Sequence, residues 1–347
     1  MTVTTTMSYR ALGKSALEVS RLCLGTMMFA DRTDAAEAGR IVAHARDHGV
    51  NFIDTADVYS RGGSETLLGD LLLGQREHWI VATKLGNAMA DGADASRNRQ
   101  RYSRRWMLAE CAASLARLRM DHVDILYLHR DFLDGSDGMD LEEPLRAIDQ
   151  LLRDGKIRYW GVSNFRGWRI AELVHTARAL NIAGPVVCQP YYNLLNRQPE
   201  PEVLEVCAHH GIGVVPYSPL ARGVLTAKYA PGAVPDPTSR AGRADKRMMQ
   251  TEFREESLHI AQTLQAHCAG RGLSLAHFAT AWVLAHRAVT SVIAGPRTLD
   301  QWQDYFGALA LTLGADDEAL VDRLVPPGHP STPGYTDPAY PWAARRG

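Results

Sequence analysis

The chain has 347 residues, a formal net charge of -1, 46% hydrophobic residues and 22% charged residues. This balance is typical of globular proteins and excludes a disordered chain, which would be poorer in apolar residues and more one-sided in charge. The near-zero charge argues against a nucleic-acid surface, and no apolar run approaches the roughly 18 residues that a membrane helix needs.

Short apolar runs alternate with segments of helical spacing along most of the chain. The predicted strands are 22–24, 50–53, 79–82, 123–128, 157–162, 186–188, 213–215 and 291–294. The predicted helices are 34–48, 64–73, 103–118, 141–154, 168–180, 201–210, 274–286 and 299–309. Asp34 is a suitable N-cap for the first helix, and Gly155 and Gly211 are suitable terminators for two others.

Eight strand–helix units predict a parallel sheet closed into a (β/α)8 TIM barrel, of the α/β class. A doubly wound sheet is the alternative, but it favours a G-x-G-x-x-G turn after the first strand, and residues 24–27 read LGTM. Outside the repeat we predict an N-terminal β-hairpin at 9–19, two extra helices at 252–271 and 316–324, and long loops at 86–102 and 230–250. We expect one domain over 1–347, with a flexible 1–8 and a tail, 326–347, over the barrel mouth.

Each predicted strand is followed by a polar residue, and in this fold those positions meet at one mouth. A buried lysine and a buried aspartate each need a partner, so Asp54 and Lys84, on neighbouring strands, are expected to form an ion pair. Tyr59 follows on the next loop, and a nearby lysine is expected to lower the pKa of its phenol from about 10. His129, after the fourth strand, is expected to hydrogen-bond a substrate oxygen.

Several segments resemble the aldo-keto reductase family, and they cover nearly the whole chain in the right order. They are LGKSALEVSRLCLGTMMF, NFIDTADVY, SETLLG, VATK, VDILYLH, GVSNF and YSPLARGVLTAKY. The resemblance implies hydride transfer between NADPH and an aldehyde or ketone of a small molecule. It also implies a catalytic tetrad of Asp54, Tyr59, Lys84 and His129, with Tyr59 as proton donor, and a substrate pocket that includes Met27 beside Tyr59 and His129.

The resemblance further implies residues for the cofactor, NADPH or NADP⁺. Tyr217 resembles the residue that stacks on the nicotinamide ring, and Arg297 would pair with a 2′-phosphate, which favours NADP over NAD. The full set is Thr26, Asp54, Ser163, Asn164, Gln189, Tyr217, Ser218, Leu220, Arg222, Gly295, Arg297, Gln301 and Asp304. Ser163, Asn164 and Gln189 resemble the nicotinamide carboxamide site, 218–222 the pyrophosphate loop and 295–304 the adenosine phosphate segment.

Other motifs carry less weight. His44 and His48 are four residues apart but lack the H-E-x-x-H pattern, the acidic run at 131–140 lacks a calcium-loop glutamate, and the basic run at 97–105 lacks interleaved aromatics. We therefore expect no metal and no nucleic-acid or membrane partner. The five cysteines form no C-x-x-C pair and 1–9 lacks an apolar core, which together predict a reduced cytoplasmic setting.

Two alternatives stay open: an NADPH-binding regulatory subunit with little turnover, as the family contains, and alcohol oxidation as the cellular direction. Oligomeric state and substrate identity are not predicted.

Overall fold

The computed structural model describes residues 7–88, 101–131 and 141–340. The predictions for the flexible start, for most of loop 86–102 including Arg97 and Arg99, and for the end of the tail therefore lie outside the described residues. So does the part of the acidic run at 132–140.

Eight parallel strands form the centre of the molecule, and a separate two-stranded antiparallel sheet precedes them. The hairpin strands are β1 Tyr9–Ala11 and β2 Glu18–Ser20. The parallel strands are β3 Leu22–Gly25, β4 Phe52–Asp54, β5 Ile80–Leu85, β6 Val123–Leu128, β7 Ile157–Ser163, β8 Val187–Gln189, β9 Gly213–Val214 and β10 Val292–Ala294. All eight strands that the sequence predicts are confirmed: the strand at 123–128 has the predicted bounds, and the ends of the others differ by at most three residues.

The sheet closes on itself. Neighbours follow chain order from β3 to β9, and β10 pairs with β3 in the register Val292↔Leu22. The remaining seam joins β9 to the start of β10, because Thr290 N donates to Val214 O at 2.8 Å and Ile293 N donates to Pro216 O at 2.9 Å. The (β/α)8 barrel is therefore confirmed, and the doubly wound alternative is wrong.

Helices cover the outside of the barrel. They are α1 Ala35–Asp47, α2 Gly63–Leu71, α3 Arg104–Leu118, α4 Glu142–Arg153, α5 Gly167–Ala179, α6 Glu205–His210, α7 Lys246–Thr251, α8 Glu255–Ala269, α9 Leu275–Ala285, α10 Leu299–Tyr305 and α11 Ala315–Leu324. Asp34 caps α1 as predicted, since its side chain accepts from Glu37 N at 2.9 Å. The segment predicted as one helix at 201–210 begins with a π-helical turn, Glu200–Leu204, before α6.

The described residues contain three helices outside the repeat, α7, α8 and α11, rather than the two predicted. Helix α7 begins inside the predicted loop 230–250 and ends one residue beyond it. Its sequence, KRMMQT, shows little apolar periodicity, but Asp245 caps it by accepting from Met248 N at 2.9 Å. Met248 and Thr251 are the buried residues of this short helix. Tertiary burial of one methionine and one cap are therefore enough to form a helix that the pattern does not reveal.

The hairpin closes the bottom of the barrel, at the amino ends of the strands. Leu12 and Val19 belong to the apolar cluster that fills the barrel interior with Phe52, Ile125 and Val187. Lys14 N donates to Gly211 O at 2.8 Å. Gly13 has φ +61°, and a β-carbon there would lie 2.5 Å from Gly211 O, so only glycine fits this close approach. The predicted hairpin is confirmed.

Arg21 stabilises the seam between β9 and β10 at the bottom of the barrel. Its guanidinium donates to Val289 O at 2.7 Å and Thr290 O at 2.8 Å, and also to Leu284 O at the end of α9. Burial, with repulsion from Arg10, lowers the pKa of Arg21 to about 10. The guanidinium remains charged at neutral pH, and three carbonyl oxygens take the place of its water shell.

Candidate active site

The four predicted catalytic residues meet at the carboxyl ends of the strands. Asp54 is the last residue of β4, and Lys84 is the fifth residue of β5. His129 directly follows β6, where its N–H donates to Leu85 O at 2.9 Å. Tyr59 begins the short 3-10 turn Tyr59–Gly62 that follows β4. Parallel strands in register therefore bring residues from three separate segments to one level.

Lys84 is the centre of this group. Its Nζ lies 2.5 Å from Asp54 Oδ1, 2.7 Å from Thr55 O and 3.1 Å from the Tyr59 hydroxyl oxygen. Lys84 is fully buried and Asp54 is 2% exposed. Burial lowers the pKa of Lys84, but the charge of Asp54 and the contact with Tyr59 raise it by more, so the net shift is upward. Lys84 is therefore a charged donor, and the expected ion pair with Asp54 is present.

The expected lowering of the Tyr59 pKa is wrong. Burial raises the pKa of the Tyr59 phenol, and the opposing effect of Lys84 does not offset it, so the net shift is upward. The sequence shows the lysine but not the depth of the phenol, and desolvation disfavours a phenolate. Tyr59 is therefore a protonated hydroxyl at neutral pH, and Lys84 limits how far its pKa rises.

His129 faces Tyr59 across the mouth. The two ring centroids are 6.0 Å apart, with planes inclined at 80°. Burial, then the charges of Lys84 and Arg130, lower the pKa of His129 well below 6.5. Its Nδ1 is buried without a hydrogen-bond partner in the described part of the chain. A neutral imidazole beside a protonated phenol is an arrangement suited to holding a polar oxygen atom between them.

The predicted nicotinamide residues form a connected network beside the tetrad. Gln189 Nε2 donates to Asp54 Oδ2 at 2.9 Å, and Ser163 Oγ donates to Gln189 O at 2.9 Å. Asn164 Nδ2 donates to His129 O at 3.0 Å, and the Tyr217 hydroxyl donates to Asn164 Oδ1 at 2.7 Å. Asn164 has φ +60°, a left-handed conformation that asparagine tolerates better than most residues. These side chains hold the tetrad as well as one another.

The predicted pyrophosphate loop has an unusual backbone. Ser218 has φ +58°, and Ala221, Arg222 and Gly223 follow with φ of +46°, +50° and +100°. Successive backbone N–H groups in a right-handed to left-handed or turn conformation form concave sites that favour anions. Leu220 precedes the left-handed residue Ala221, and the side-chain amide of Asn193 donates to Ser218 O at 2.9 Å. Ala221 N and Gly223 N already donate to Ser218 O and Leu220 O, so a phosphate group here would need the other N–H groups of the loop.

The positive charge of Arg222 in this loop is paired with a buried carboxylate. Its Nε donates to Glu252 Oε2 at 3.0 Å, and Glu252 is fully buried. The Thr251 hydroxyl also donates to this carboxylate. An arginine has five N–H donors, so this pair leaves Arg222 with further donors.

The segment predicted to meet the adenosine phosphate follows β10. Gly295 and Gln301 are exposed, and Gln301 Oε1 accepts from Arg297 N at 2.9 Å. The carboxylate of Asp304 already has a hydrogen-bond partner within the chain, since its Oδ1 lies 2.7 Å from His277 Nε2. Thr26 directly follows β3, and its hydroxyl donates to Asp54 O at 3.0 Å.

The sequence patterns do not identify one basic residue near this segment, Arg240. Arg240 lies in the polar segment before α7, and its pKa is lowered by burial, then by repulsion from Arg222, with Arg297 also contributing. We refer to Arg222, Arg240 and Arg297 as the basic cluster. No ion pair to a described carboxylate is formed by Arg240 or Arg297, so these residues fit an anionic group such as a nucleotide phosphate. Nothing in the loop sequence marks Arg240, because its neighbours come from distant segments.

The tail reaches the loops around the mouth. Arg166 donates to Tyr340 O at 2.6 Å, and Arg130 donates to Ala339 O at 3.3 Å. Arg247 of α7 holds Asp337 with two hydrogen bonds of 2.7 and 2.9 Å. A small cavity of about 110 Å³ lies between the tail and the loops after β7 and β8. Met27, predicted to contact substrate, is 38% exposed in the loop after β3.

Two further observations concern metal binding and membrane insertion. Within the described ranges, no group of three or more His, Cys, Asp or Glu side chains is placed to hold a metal ion. Over the same residues, none of the helices has the length and apolar character needed to span a bilayer.

Comparison with known proteins identifies the family. The model of the aldo/keto reductase family matches residues 21–326, and the chain belongs to that family. It is 36% identical over 308 residues to a probable voltage-gated potassium channel subunit beta of Arabidopsis thaliana, covering 87% of this chain and 91% of the relative. A protein of the same description from Oryza sativa subsp. japonica is 35% identical over 308 residues, with the same coverage. An uncharacterized oxidoreductase, YrpG, of Bacillus subtilis (strain 168) is 35% identical over 345 residues, covering 97% of this chain and 100% of the relative. The family and the named oxidoreductase support an oxidoreductase that uses a nicotinamide cofactor and acts on small carbonyl compounds.

Proposed function

We propose that the protein reduces an aldehyde or ketone of a small molecule with NADPH. The observation that carries this proposal is the contact of the Tyr59 hydroxyl with Lys84 Nζ at 3.1 Å, while Asp54 holds the same ammonium group at 2.5 Å. A buried, protonated phenol backed by a charged lysine is a general acid that can be restored by proton transfer. Positioned general acid catalysis contributes typically about 10²- to 10⁴-fold to a rate.

Each residue of the tetrad has a separate role in this proposal. When bound, NADPH supplies the hydride that the carbonyl carbon receives. Tyr59 donates its proton to the carbonyl oxygen, and Lys84 stabilises the phenolate that remains. Neutral His129 orients the carbonyl oxygen, and Asp54 keeps Lys84 in place.

The cofactor assignment rests on the basic cluster and the left-handed loop. Arg297 and Arg240 would hold the 2′-phosphate side of NADPH, and the backbone at 218–223 would hold the pyrophosphate. Ser163, Asn164 and Gln189 would meet the carboxamide, with Tyr217 against the nicotinamide ring. Fluorescence titration tests this assignment: NADPH should bind more tightly than NADH, and tighter binding of NADH would contradict it.

The activity is tested by incubating the purified protein with NADPH and a broad panel of aldehydes and ketones. NADPH oxidation should exceed that of the matched Tyr59→Phe variant, which removes one hydroxyl and keeps the ring. No turnover above the variant, despite saturable NADPH binding, would refute the enzyme assignment.

A regulatory role is the second candidate, and the plant relatives named as channel beta subunits are the observation that favours it. Single-turnover oxidation of bound NADPH separates the two proposals. Fast oxidation with a carbonyl compound supports the enzyme, whereas stable NADPH binding without oxidation supports a binding subunit. Alcohol oxidation by NADP⁺ uses the same residues in reverse, and cofactor ratios in the cell decide the direction.

We propose further that residues 1–347 form one domain with the tail as a wall of the substrate pocket. The contacts of Asp337, Ala339 and Tyr340 with the mouth loops support this arrangement. We also propose a cytoplasmic location, which the five buried free cysteines support because such thiols persist under reducing conditions.

A further inference from the structure

A second cleft lies at the bottom of the barrel, at the opposite end from the candidate active site. It has a volume of about 580 Å³ and opens between the start of β7, the end of α5 and the hairpin turn. Ligand sites commonly occupy about 300–1,000 Å³. The cleft is therefore large enough for a small organic molecule, and neither the tetrad nor the basic cluster contributes to its lining.

The floor of the cleft is apolar. It is formed by the side chains of Leu152, Trp160, Val174, Ile182, Val186 and Ile212. The indole N–H of Trp160 is already used, since it donates to Ala183 O at 2.7 Å. Trp160 is itself buried, whereas Leu152, Val174 and Val186 are partly exposed, and a ligand with a hydrocarbon body would remove the surface of these three side chains from water.

The rim of the cleft is basic. Lys14, Arg158 and Arg178 line it together with His210, and its lining includes no aspartate or glutamate. Arg158 donates only a long hydrogen bond of 3.4 Å to Gly155 O. Lys14 and Arg178 form no ion pair with any carboxylate in the described part of the chain. Within the described ranges, the rim thus has three positive charges that form no ion pair.

An arginine next to the cleft lining behaves differently. Arg153, which follows Leu152 on α4, pairs with Asp149 at 2.8 Å. The chain therefore supplies a carboxylate to this neighbouring arginine but not to those of the rim. The charged neighbours that shift the pKa of His210 are all basic: burial lowers it first, followed by His209, His175, Arg178 and Lys14.

Helix ends do not account for this cluster. Arg178 lies in the last turn of α5, where a cation interacts favourably with the helix dipole. Arg158, however, lies on strand β7, and Lys14 lies in the hairpin turn. Three different kinds of element place their cations around one apolar floor, which is the pattern of a binding site.

We propose that this bottom cleft binds an amphiphilic organic anion, a carboxylate on a hydrocarbon body. The carboxylate would meet Lys14, Arg158 and Arg178, and the hydrocarbon would cover Leu152, Val174 and Val186. The proposal is independent of the activity at the barrel mouth.

Isothermal titration calorimetry of the full chain with decanoate tests the proposal. Decanoate should bind at one site with a Kd below about 1 mM. Decan-1-ol, which lacks the charge, and acetate, which lacks the hydrocarbon, should each bind at least tenfold more weakly. Saturating NADPH should leave the decanoate affinity unchanged, since the two sites lie at opposite ends. Equal affinity for decanoate and decan-1-ol, or displacement of decanoate by NADPH, would overturn the proposal.

Variants locate the site. The double variant Lys14→Gln/Arg178→Gln should raise the Kd for decanoate about tenfold. Arg46→Gln is the matched control, because Arg46 lies in the last turn of α1 and its removal has the same effect on a helix end. Thermal unfolding should show similar midpoints for the double variant and the control. If the double variant does not fold, Arg158→Gln replaces it. Unchanged decanoate affinity in the folded rim variant, or an equal loss in Arg46→Gln, would refute the site.

Discussion

Lys84 Nζ and Asp54 Oδ1 lie 2.5 Å apart in a part of the barrel where Lys84 is fully buried and Asp54 is 2% exposed. The two charges come from neighbouring strands, and each stabilises the other in a site buried from solvent. Breaking a buried pair by removing one partner typically costs about 3–5 kcal/mol, because a charge is left without a partner. This pair therefore links the stability of the barrel to the chemistry at its mouth.

The first prediction separates these two effects. Asp54→Asn should lower the free energy of unfolding by about 3 kcal/mol, because Lys84 keeps its charge in a dry site. The double variant Asp54→Asn/Lys84→Met should recover most of this loss but should have little reductase activity. Urea unfolding of the wild type and of both variants measures this. Equal destabilisation of the single and double variants would contradict the interpretation.

The second prediction concerns the proton of Tyr59. Because burial raises its pKa, the phenol stays protonated through neutral pH, and kcat/KM for reduction should fall only on the alkaline side, above pH 10. Tyr59→Phe should lower kcat/KM by about 10²- to 10⁴-fold. Steady-state rates across the pH range measure both effects. An alkaline limb near neutral pH, absent from the variant, would show that Lys84 outweighs burial.

The third prediction uses the lowered pKa of His129. The folded protein holds this imidazole neutral, whereas the unfolded chain protonates it below about pH 6.5. The unfolded state then binds more protons, so the stabilising contribution is complete above pH 6.5 and is lost as the pH falls. The free energy of unfolding should decrease less steeply on acidification in His129→Gln than in the wild type. Parallel curves for the two proteins would contradict the neutral imidazole.

The fourth prediction concerns cofactor selectivity. Arg297→Leu should raise the Kd for NADPH about tenfold or more, because hydrogen bonds to charged groups contribute about 1.5–3 kcal/mol, and should change the Kd for NADH little. Arg240→Gln should weaken NADPH binding in the same direction. Arg323→Leu, an exposed arginine in the last turn of α11, is the control. A parallel loss of NADPH and NADH binding in Arg297→Leu would place this residue elsewhere than at a 2′-phosphate.

The fifth prediction concerns the tail. Asp337→Asn removes the bidentate pair with Arg247, a partly exposed pair that is worth on the order of 1 kcal/mol. Amide hydrogen exchange over residues 330–340 should increase, and KM for a carbonyl substrate should rise more than the Kd for NADPH. The double variant Arg247→Gln/Asp337→Asn should resemble the single variant. Unchanged exchange would show that the tail is held without this pair, by the hydrogen bonds from the Tyr335 hydroxyl to Gln250 O and from Arg166 to Tyr340 O.

The order of the barrel elements follows from local patterns, and for that reason the sequence predicts it well. Strand 22–24 and helix 34–48 are visible because their apolar spacing and the Asp34 cap agree. Helix α7 is not visible, since its formation depends on the burial of Met248 by distant segments. The side-chain positions of the tetrad could be predicted from the ends of the strands and from the family motifs.

Electrostatic consequences are less accessible from sequence. The direction of the Tyr59 pKa shift depends on how deeply the phenol is buried, which no motif encodes. Asp304 matches the family segment, yet His277, 27 residues earlier in the chain, occupies its carboxylate. Arg240 is one of many arginines until the fold places it beside Arg222. In each case the pKa or the partners of a side chain depend on which groups the fold brings close to it, and the sequence does not give those distances.

The seam held by Arg21 has a consequence for how the molecule is made. Strand β3, near the start of the chain, obtains its second neighbour only when β10 pairs with it, about 270 residues later. During synthesis the edge of β3 is therefore open until nearly the whole barrel has emerged, and an open edge is a template for aggregation. Premature termination before Leu284 would leave Arg21 without its carbonyl partners and this edge exposed. Such fragments are expected to depend on chaperones or to be degraded.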